Sequence, residues 1–449
     1  MTPAGRIAAI IACLDEIIAA PRPADAVISA YFRARRYIGS KDRSAVASQI
    51  YLILRHFLQL SWHLEQAHAR RDGRNLVLAQ LLLIEHWPLE EIQENFTGEH
   101  YAPHKVTRDE QLFLNQLLHC HPRENGDPWI PASAGMTGLE CNEMPIHIQV
   151  ECPAKYAEKF QATFGDNFAA EMRGMLTEAP LDLRVNPRVA TRAAAIAELK
   201  AAKVDAAPTP YSPFGIRIHG RPALPTLDLY KRGGVEIQDE GSQLIALLMG
   251  AQPGEHIVDF CAGAGGKTLA IAAMMENKGR VIACDVLDRR LEKSRTRFTR
   301  AGLENIQIRP LTSENDKWVK RSAGQFDRVL VDAPCSGTGV WRRNPDARWK
   351  QLGPGLAELL PLQARILSSA ARLVKPGGRL VYATCSLLPD ENQLQVEKFL
   401  AEHSDFKLLP AQQACTPDMH LPDTGDYMNL SPARHGTDGF FAAVMERRK

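Results

Sequence analysis

Residues 256–268 read HIVDFCAGAGGKT, and this stretch decides the architecture. A short apolar run, HIVDF (256–260), enters a turn rich in glycine (Gly263, Gly265, Gly266), and a helix-forming segment follows over 266–275. Four to eight apolar residues bounded by turn signals are the mark of a strand buried on both faces. The same alternation continues outward along the chain. RVIACD (280–285), NIQIRP (305–310), FDRVLVDAP (326–334), RLVYATCS (379–386) and GFFAAVMER (439–447) read as strands. Helical spacing fills 288–301, 356–374 and 390–403 between them. Strand and helix in alternation predict an α/β domain over 233–449, a Rossmann-like, doubly wound and mostly parallel sheet. Ligands of such sheets bind at the carboxyl ends of the strands, and four of those ends carry unusual residues.

The loop Cys261-Ala262-Gly263-Ala264-Gly265-Gly266-Lys267 admits three readings. A dinucleotide fingerprint needs G-x-G-x-x-G, but the spacing is G-x-G-G and position 268 is Thr. A phosphate loop needs a Gly where Cys261 stands, although Gly266-Lys267-Thr268 ends correctly. The third reading is a methyl-donor site, where glycines let adenosine and methionine approach the backbone without any phosphate. The loop alone leaves donor and nucleotide both standing. Asp285 ends the next strand, 20 residues beyond Gly265, where a carboxylate can accept hydrogen bonds from ribose hydroxyls in either case. The bland alternative for Asp285 is an exposed strand-end acid.

Two further strand ends carry cysteine: VDAPCSGTG (331–339), with Asp332 and Cys335, and YATCS (382–386), with Cys385. A single free cysteine is most often a small buried apolar residue. Two of them, each in a small polar turn beside a donor loop, can meet over one ligand. The nine cysteines include no C-x-x-C pair, so neither a disulfide framework nor a structural zinc site is expected, and a reducing cytoplasm is the natural setting.

The rest of the chain is less specific. Residues 1–119 show apolar positions three and four apart, such as Ile7, Ile10, Leu14 and Ile17, and read as a helical domain. The N-terminus carries Asp15 and Glu16 and no cleavage signal, so it reads as a mature helix. Residues 120–145 lack periodicity. Their DPWIPASAGMTG run resembles a translated bacterial palindromic repeat, the alternative being an ordinary linker. Residues 146–232 read as a small α+β module with strands at LRVNPR (183–188) and FGIRIHG (214–220). No stretch has the length and apolarity of a membrane helix. Net charge is only +2, but cations cluster at Arg33–Arg43, Arg289–Arg300 and Arg342–Lys350. The last cluster, WRRNPDARWK (341–350), interleaves Trp341 and Trp349 with cations, so it reads as a phosphate-and-stacking platform for RNA or as a loop anchored by core tryptophans.

Taken together, DFCAGAGGKT, DAPCSGTG and TCS resemble the signature of the RNA (cytosine-5) methyltransferases of the NOL1/NOP2/Sun group, nearest the bacterial 16S rRNA members with a NusB-like N-terminal domain. The resemblance covers about 180–449, with LRVN, QDEGSQ and TDGFF as flanking motifs, and is weaker over 1–118. It implies a class I methyltransferase sheet, S-adenosyl-L-methionine as cofactor, RNA (most naturally rRNA) as partner, a cytoplasmic monomer, and no metal. It implies Cys385 as nucleophile, Cys335 as the residue that assists release, and Asp332 facing donor and base. Cys261, Ala262, Gly263, Ala264, Gly265, Gly266, Lys267 and Asp285 hold the donor, with Arg290 near its carboxylate. The chemistry fits two thiols. Carbon 5 of cytosine is a poor nucleophile until a thiolate adds at carbon 6, and the adduct must later be eliminated. DNA cytosine methyltransferases use a proline–cysteine nucleophile without the TCS partner, so the second cysteine favours RNA. One departure is the region after the third strand, PLTSEND, where only Asp316 can stand in for the family's adenine-side aspartate. The competing functional class is an RNA-binding ribosome or transcription assembly factor with a non-catalytic methyltransferase fold.

Overall fold

In a computed structural model, residues 1–120, 143–416, 418–422 and 424–449 are described. The irregular segment expected over 120–145 therefore falls almost entirely outside the described residues. The chain forms two compact units. One contains residues 1–177 and 341–353; the other contains 178–340 and 354–449.

The second unit holds two sheets. The smaller is antiparallel and comprises β1 (Leu181–Val185), β2 (Asp205–Pro208), β3 (Gly215–His219) and β4 (Val235–Ile237), ordered β2-β3-β1-β4. Its apolar side chains, Leu183, Val185, Ile216 and Ile218, pack against Ala195 and Leu199 of the helix Arg192–Ala201. The larger sheet contains β5 (His256–Asp259), β6 (Arg280–Asp285), β7 (Ile306–Pro310), β8 (Phe326–Asp332), β9 (Val374–Thr384), β10 (Phe406–Leu409), β11 (Met428–Leu430) and β12 (Phe440–Arg447). Its order is β10-β12-β9-β8-β5-β6-β7, with β11 beside β12. The pairs among β5–β9 are parallel, and β12 runs antiparallel to β9, β10 and β11.

Strand residues alternate between two cores, as the two-residue period requires. Ile257, Val281, Leu330 and Val381 point to the face covered by the helices Glu240–Leu248 and Gly266–Met274. Val258, Ile282, Val331 and Tyr382 point to the opposite face, covered by Leu356–Ala371 and Gln393–Glu402. Both faces are dry, which is why these strands read as unbroken apolar runs.

The first unit is all-helical in its described residues and includes Pro3–Ala19, Ala24–Ala34, Ser40–Arg55, Phe57–Gln66 and Gly73–Leu83. The helices Ala154–Phe164 and Phe168–Gly174 also belong to it, so the stretch 146–177 contributes helix rather than strand. No described helix is long and apolar enough to cross a membrane.

Segment 341–353 is built into this helical unit, and that corrects the reading of WRRNPDARWK as an RNA platform. Trp341 is 1% exposed and packs edge-on to Phe160, while Trp349 stacks on Phe57 at 4.0 Å. The charges serve as helix caps. Asp346 Oδ2 accepts from Ala24 N at 2.8 Å, at the start of Ala24–Ala34. Lys350 Nζ donates to Ile17 O at 2.6 Å and Arg22 O at 3.0 Å, around the end of Pro3–Ala19. Arg348 donates to Met175 O at 2.7 Å and Arg55 O at 3.3 Å. An acid at a helix N-terminus and bases at C-termini complement both the orphan peptide groups and the helix dipole. Arg342 is 2% exposed and so is likewise withdrawn from solvent.

Candidate active site

The strand order reverses between β5 and β8: from β5 the chain runs to β6 and β7 on one side, then crosses to β8 and β9 on the other. The two connections diverge at that point, leaving a crevice at the carboxyl ends. A cavity of about 770 Å³ occupies it, within the range of small-molecule sites. Its walls include Cys261, Ala262, Gly263, Ala264, Gly266, Lys267, Asp285, Arg290, Asp332, Cys335 and Cys385. Gly265 is not on the wall. Its φ of +76° makes the turn into the helix, and a Cβ there would lie 2.6 Å from the Phe298 ring. Gly263 also has positive φ, +55°, and a Cβ on it would lie 3.0 Å from the Arg290 guanidinium. The glycines are thus required by backbone conformation and close packing.

Two backbone carbonyls of this loop are held by arginines. Arg184 of β1 donates to Gly266 O at 2.8 Å, and Arg297 donates to Ala264 O. Asp285 accepts from Gly263 N and Leu287 N, one per carboxyl oxygen, each at 2.8 Å. Lone pairs remain on both oxygens for a ribose. Asp259 ends β5, fully buried, and takes the Thr268 hydroxyl at 2.7 Å on Oδ2. Its Oδ1 is buried without a hydrogen-bond partner, although Asp259 lines the cavity. An orphaned carboxylate oxygen on a residue that lines the cavity calls for a hydrogen-bond donor, and an ammonium group would supply one. Burial, partly opposed by the Thr268 bond and reinforced by Asp332, pushes the Asp259 carboxyl up to about 7. The chain's groups therefore fit a ligand with ribose and amino-acid ends.

At the other end of the crevice, Cys335 Sγ lies 3.4 Å from Cys385 Sγ. Cys335 follows β8 and Cys385 follows β9, so pairing of these neighbouring strands brings the two thiols together. The hydrogen bond to Cys385, burial, and the Cys385 and Glu391 charges hold the Cys335 thiol well above its ordinary range. Cys335 thus stays protonated. Lys267 Nζ contacts Asp332 Oδ2 at 2.7 Å. Burial alone pulls the Lys267 pKa down, but Asp332 more than offsets it and the net shift is upward. The lysine stays charged beside the thiols.

The model of the 16S rRNA methyltransferase RsmB/F family matches residues 246–446, and that of the RsmF/B-like ferredoxin-like domain matches 152–224. The chain is 35% identical over 317 residues to the probable ribosomal RNA small subunit methyltransferase B of Synechocystis sp., covering 70% of each. The chain belongs to the RsmB/F family. It is also 31% identical over 424 residues to ribosomal RNA small subunit methyltransferase B of Sodalis glossinidius, covering 91% of this chain and 90% of that one. Among solved structures, PH0851 matches with a TM-score of 0.76 and 24% identity over 100% of this chain and 99% of its own. NSun6 from Pyrococcus horikoshii, solved with SFG, matches with a TM-score of 0.58 and 21% identity over 66% and 98%. These two likenesses concern the fold. As an RsmB/F family member the chain is an S-adenosylmethionine-dependent RNA methyltransferase of the NOL1/NOP2/Sun group.

Sequence reasoning missed several residues of this RsmB/F site. Asp259 stands inside the glycine motif, and an acid ending a buried strand is itself a signal. Arg184, Arg297 and Glu391 reach partners far along the chain, Asn392 acts on the nearby Thr384 and Ser386, and none of them carries a local pattern. Asp316 is not on the cavity wall. It caps the short helix Lys317–Arg321 through Trp318 N and also takes Thr312, which lowers its carboxyl to about 2. The wall after β7 is instead Leu311–Glu314.

Proposed function

We propose that this enzyme methylates carbon 5 of a cytosine in 16S rRNA through a covalent Cys385 adduct, with Cys335 assisting release. The observation that carries the reading is the 3.4 Å contact between the two thiols at the wall of the donor cavity. A protonated Cys335 can donate to the Cys385 sulfur 3.4 Å away, and the thiolate is the nucleophilic form of a cysteine. The Cys385 thiolate adds to carbon 6 of the ring, and Asp332 holds N3 as charge moves onto the ring. Carbon 5 becomes enamine-like. S-adenosylmethionine, when bound, supplies an electrophilic methyl group on a sulfonium. Asp285 holds the ribose, the loop Cys261–Lys267 carries the rest of the donor, and Asp259 and Arg290 receive its amino and carboxylate groups. Once carbon 5 has bonded the methyl, its proton passes to solvent, the ring double bond re-forms as the carbon 6–sulfur bond breaks, and Cys335 donates to the departing Cys385 thiolate. Arg33, Arg36 and Lys41 are exposed on the helical unit and provide phosphate contacts to the RNA.

The test is a pair of variants with 16S rRNA and labelled donor. Cys385→Ala should abolish methyl transfer and leave donor binding intact. Cys335→Ala should still transfer methyl but stall, so that a protein–RNA adduct accumulates on a denaturing gel. Substantial turnover by Cys385→Ala, or no adduct with Cys335→Ala, overturns the assignment.

A further inference from the structure

The two cysteine loops are held by two consecutive residues just beyond β9. Glu391 is fully buried. Its Oε1 accepts from Ser336 N at 2.8 Å and from Gln363 Nε2 at 3.0 Å, and its Oε2 accepts the Ser336 hydroxyl. The same Gln363 nitrogen donates to Pro334 O at 3.0 Å. Both chain neighbours of Cys335 are therefore fixed through one buried carboxylate. Asn392, 3% exposed, does the equivalent on the other side. Its Nδ2 donates to Ser386 O at 2.9 Å, and its Oδ1 accepts the Thr384 hydroxyl at 2.5 Å. Those are the two chain neighbours of Cys385. A buried carboxylate held by a backbone N–H, a hydroxyl and an amide is costly to displace, so the arrangement is stiff.

We propose that Glu391 and Asn392 are positioning residues that set the two thiols against each other, Glu391 orienting Cys335 and Asn392 orienting Cys385. The inference rests on the adduct reading above and adds the prediction that adjacent residues control opposite halves of the cycle. Glu391 governs release, because it orients the thiol that meets the departing sulfur. Asn392 governs adduct formation, because it orients the attacking sulfur. The Glu391 charge also contributes to keeping Cys335 protonated.

Glu391→Gln keeps an acceptor for Ser336 N–H while removing the charge. Asn392→Asp keeps the acceptor for Thr384 and loses the donor to Ser386 O. Each loses a hydrogen bond involving a charged group or gains a repulsive contact, which is worth about tenfold in rate. With 16S rRNA and labelled donor, Glu391→Gln should raise the steady-state adduct about tenfold while released product falls. Asn392→Asp should lower adduct and product together by about tenfold. Donor affinity by calorimetry should stay at the parental value in both. A merely structural role predicts the same loss in both variants, with weakened donor binding, and that result overturns the inference. Parental release by Glu391→Gln overturns it as well. Cys335→Ala is run in parallel. If it accumulates adduct and Glu391→Gln does not, the adduct reading stands and this inference alone fails. If Cys335→Ala shows none, the reading fails first and takes the inference with it. Should Glu391→Gln not fold, Ser336→Ala removes the hydroxyl bond from the other partner and must show the same accumulation.

Discussion

Replacing Asp259 by Asn should stabilise the methyltransferase unit and impair its function, and the stabilising half depends on pH. Burial first, then the Asp332 charge, raise this carboxyl up to about 7, while Thr268 opposes them. The unfolded chain holds it near its ordinary value of about 3.9. Below about pH 4 both states are protonated and Asp259 costs nothing. Between about 4 and 7 the unfolded state has lost its proton while the folded state keeps it, so stability falls by about 1.4 kcal/mol per pH unit. Above about 7 both are ionised and the penalty is constant, about 4 kcal/mol at most for a shift of about three units. Asparagine never ionises and escapes it. Urea unfolding of donor-free parent and variant should therefore differ by about 1 kcal/mol or less near pH 4.5 and by several near pH 8. Donor binding should move oppositely, weakening by about 1.5–3 kcal/mol as the charged acceptor disappears. A stability difference equal at both pH values, or larger at the acidic one, refutes the burial argument. Unchanged donor affinity refutes the ammonium contact.

Two other perturbations probe separate parts of the molecule. Asp285→Ala should weaken the donor by about 1.5–3 kcal/mol, roughly ten- to hundredfold in Kd by calorimetry, since a charged acceptor is lost and Gly263 N and Leu287 N lose their partner; parental affinity would reject the ribose role. Trp341→Ala should cost the helical unit about 3–5 kcal/mol, because a fully buried indole leaves a cavity. A variant that melts like the parent yet binds RNA poorly would return Trp341 to the RNA surface.

The strands of the catalytic sheet were legible because both faces are buried and their composition announces it. The expected run 280–285 coincides with β6, and the runs at 256, 305 and 326 sit within a residue or two of β5, β7 and β8. The short strands β2, β4, β10 and β11 were not legible; three or four residues are too few to show a period, and β4 and β10 are defined by partners distant in sequence. The thiol pair was legible because small polar residues flank both cysteines, with proline and glycine beside Cys335. What binds them, Glu391 and Asn392, was not, since a Glu or Asn at a helix start is everywhere a surface residue or a cap. WRRNPDARWK misled for a related reason. Arginine, lysine and tryptophan have the same appearance in a sequence whether they meet phosphates and bases or the carbonyls and rings of their own chain.

The excursion of residues 341–353 makes the helical unit discontinuous, and this bears on how the molecule is born. A ribosome finishes residue 177 long before it reaches Trp341, Asp346, Arg348 and Lys350. Until then the helical unit lacks a core tryptophan and several of its caps, so its first 177 residues emerge as an unfinished body. The part that completes it arrives from within the catalytic unit, just after β8. Cutting the chain at the apparent border yields neither unit whole: a 1–177 fragment misses its keystone, and a 178–449 fragment carries two tryptophans with nowhere to go.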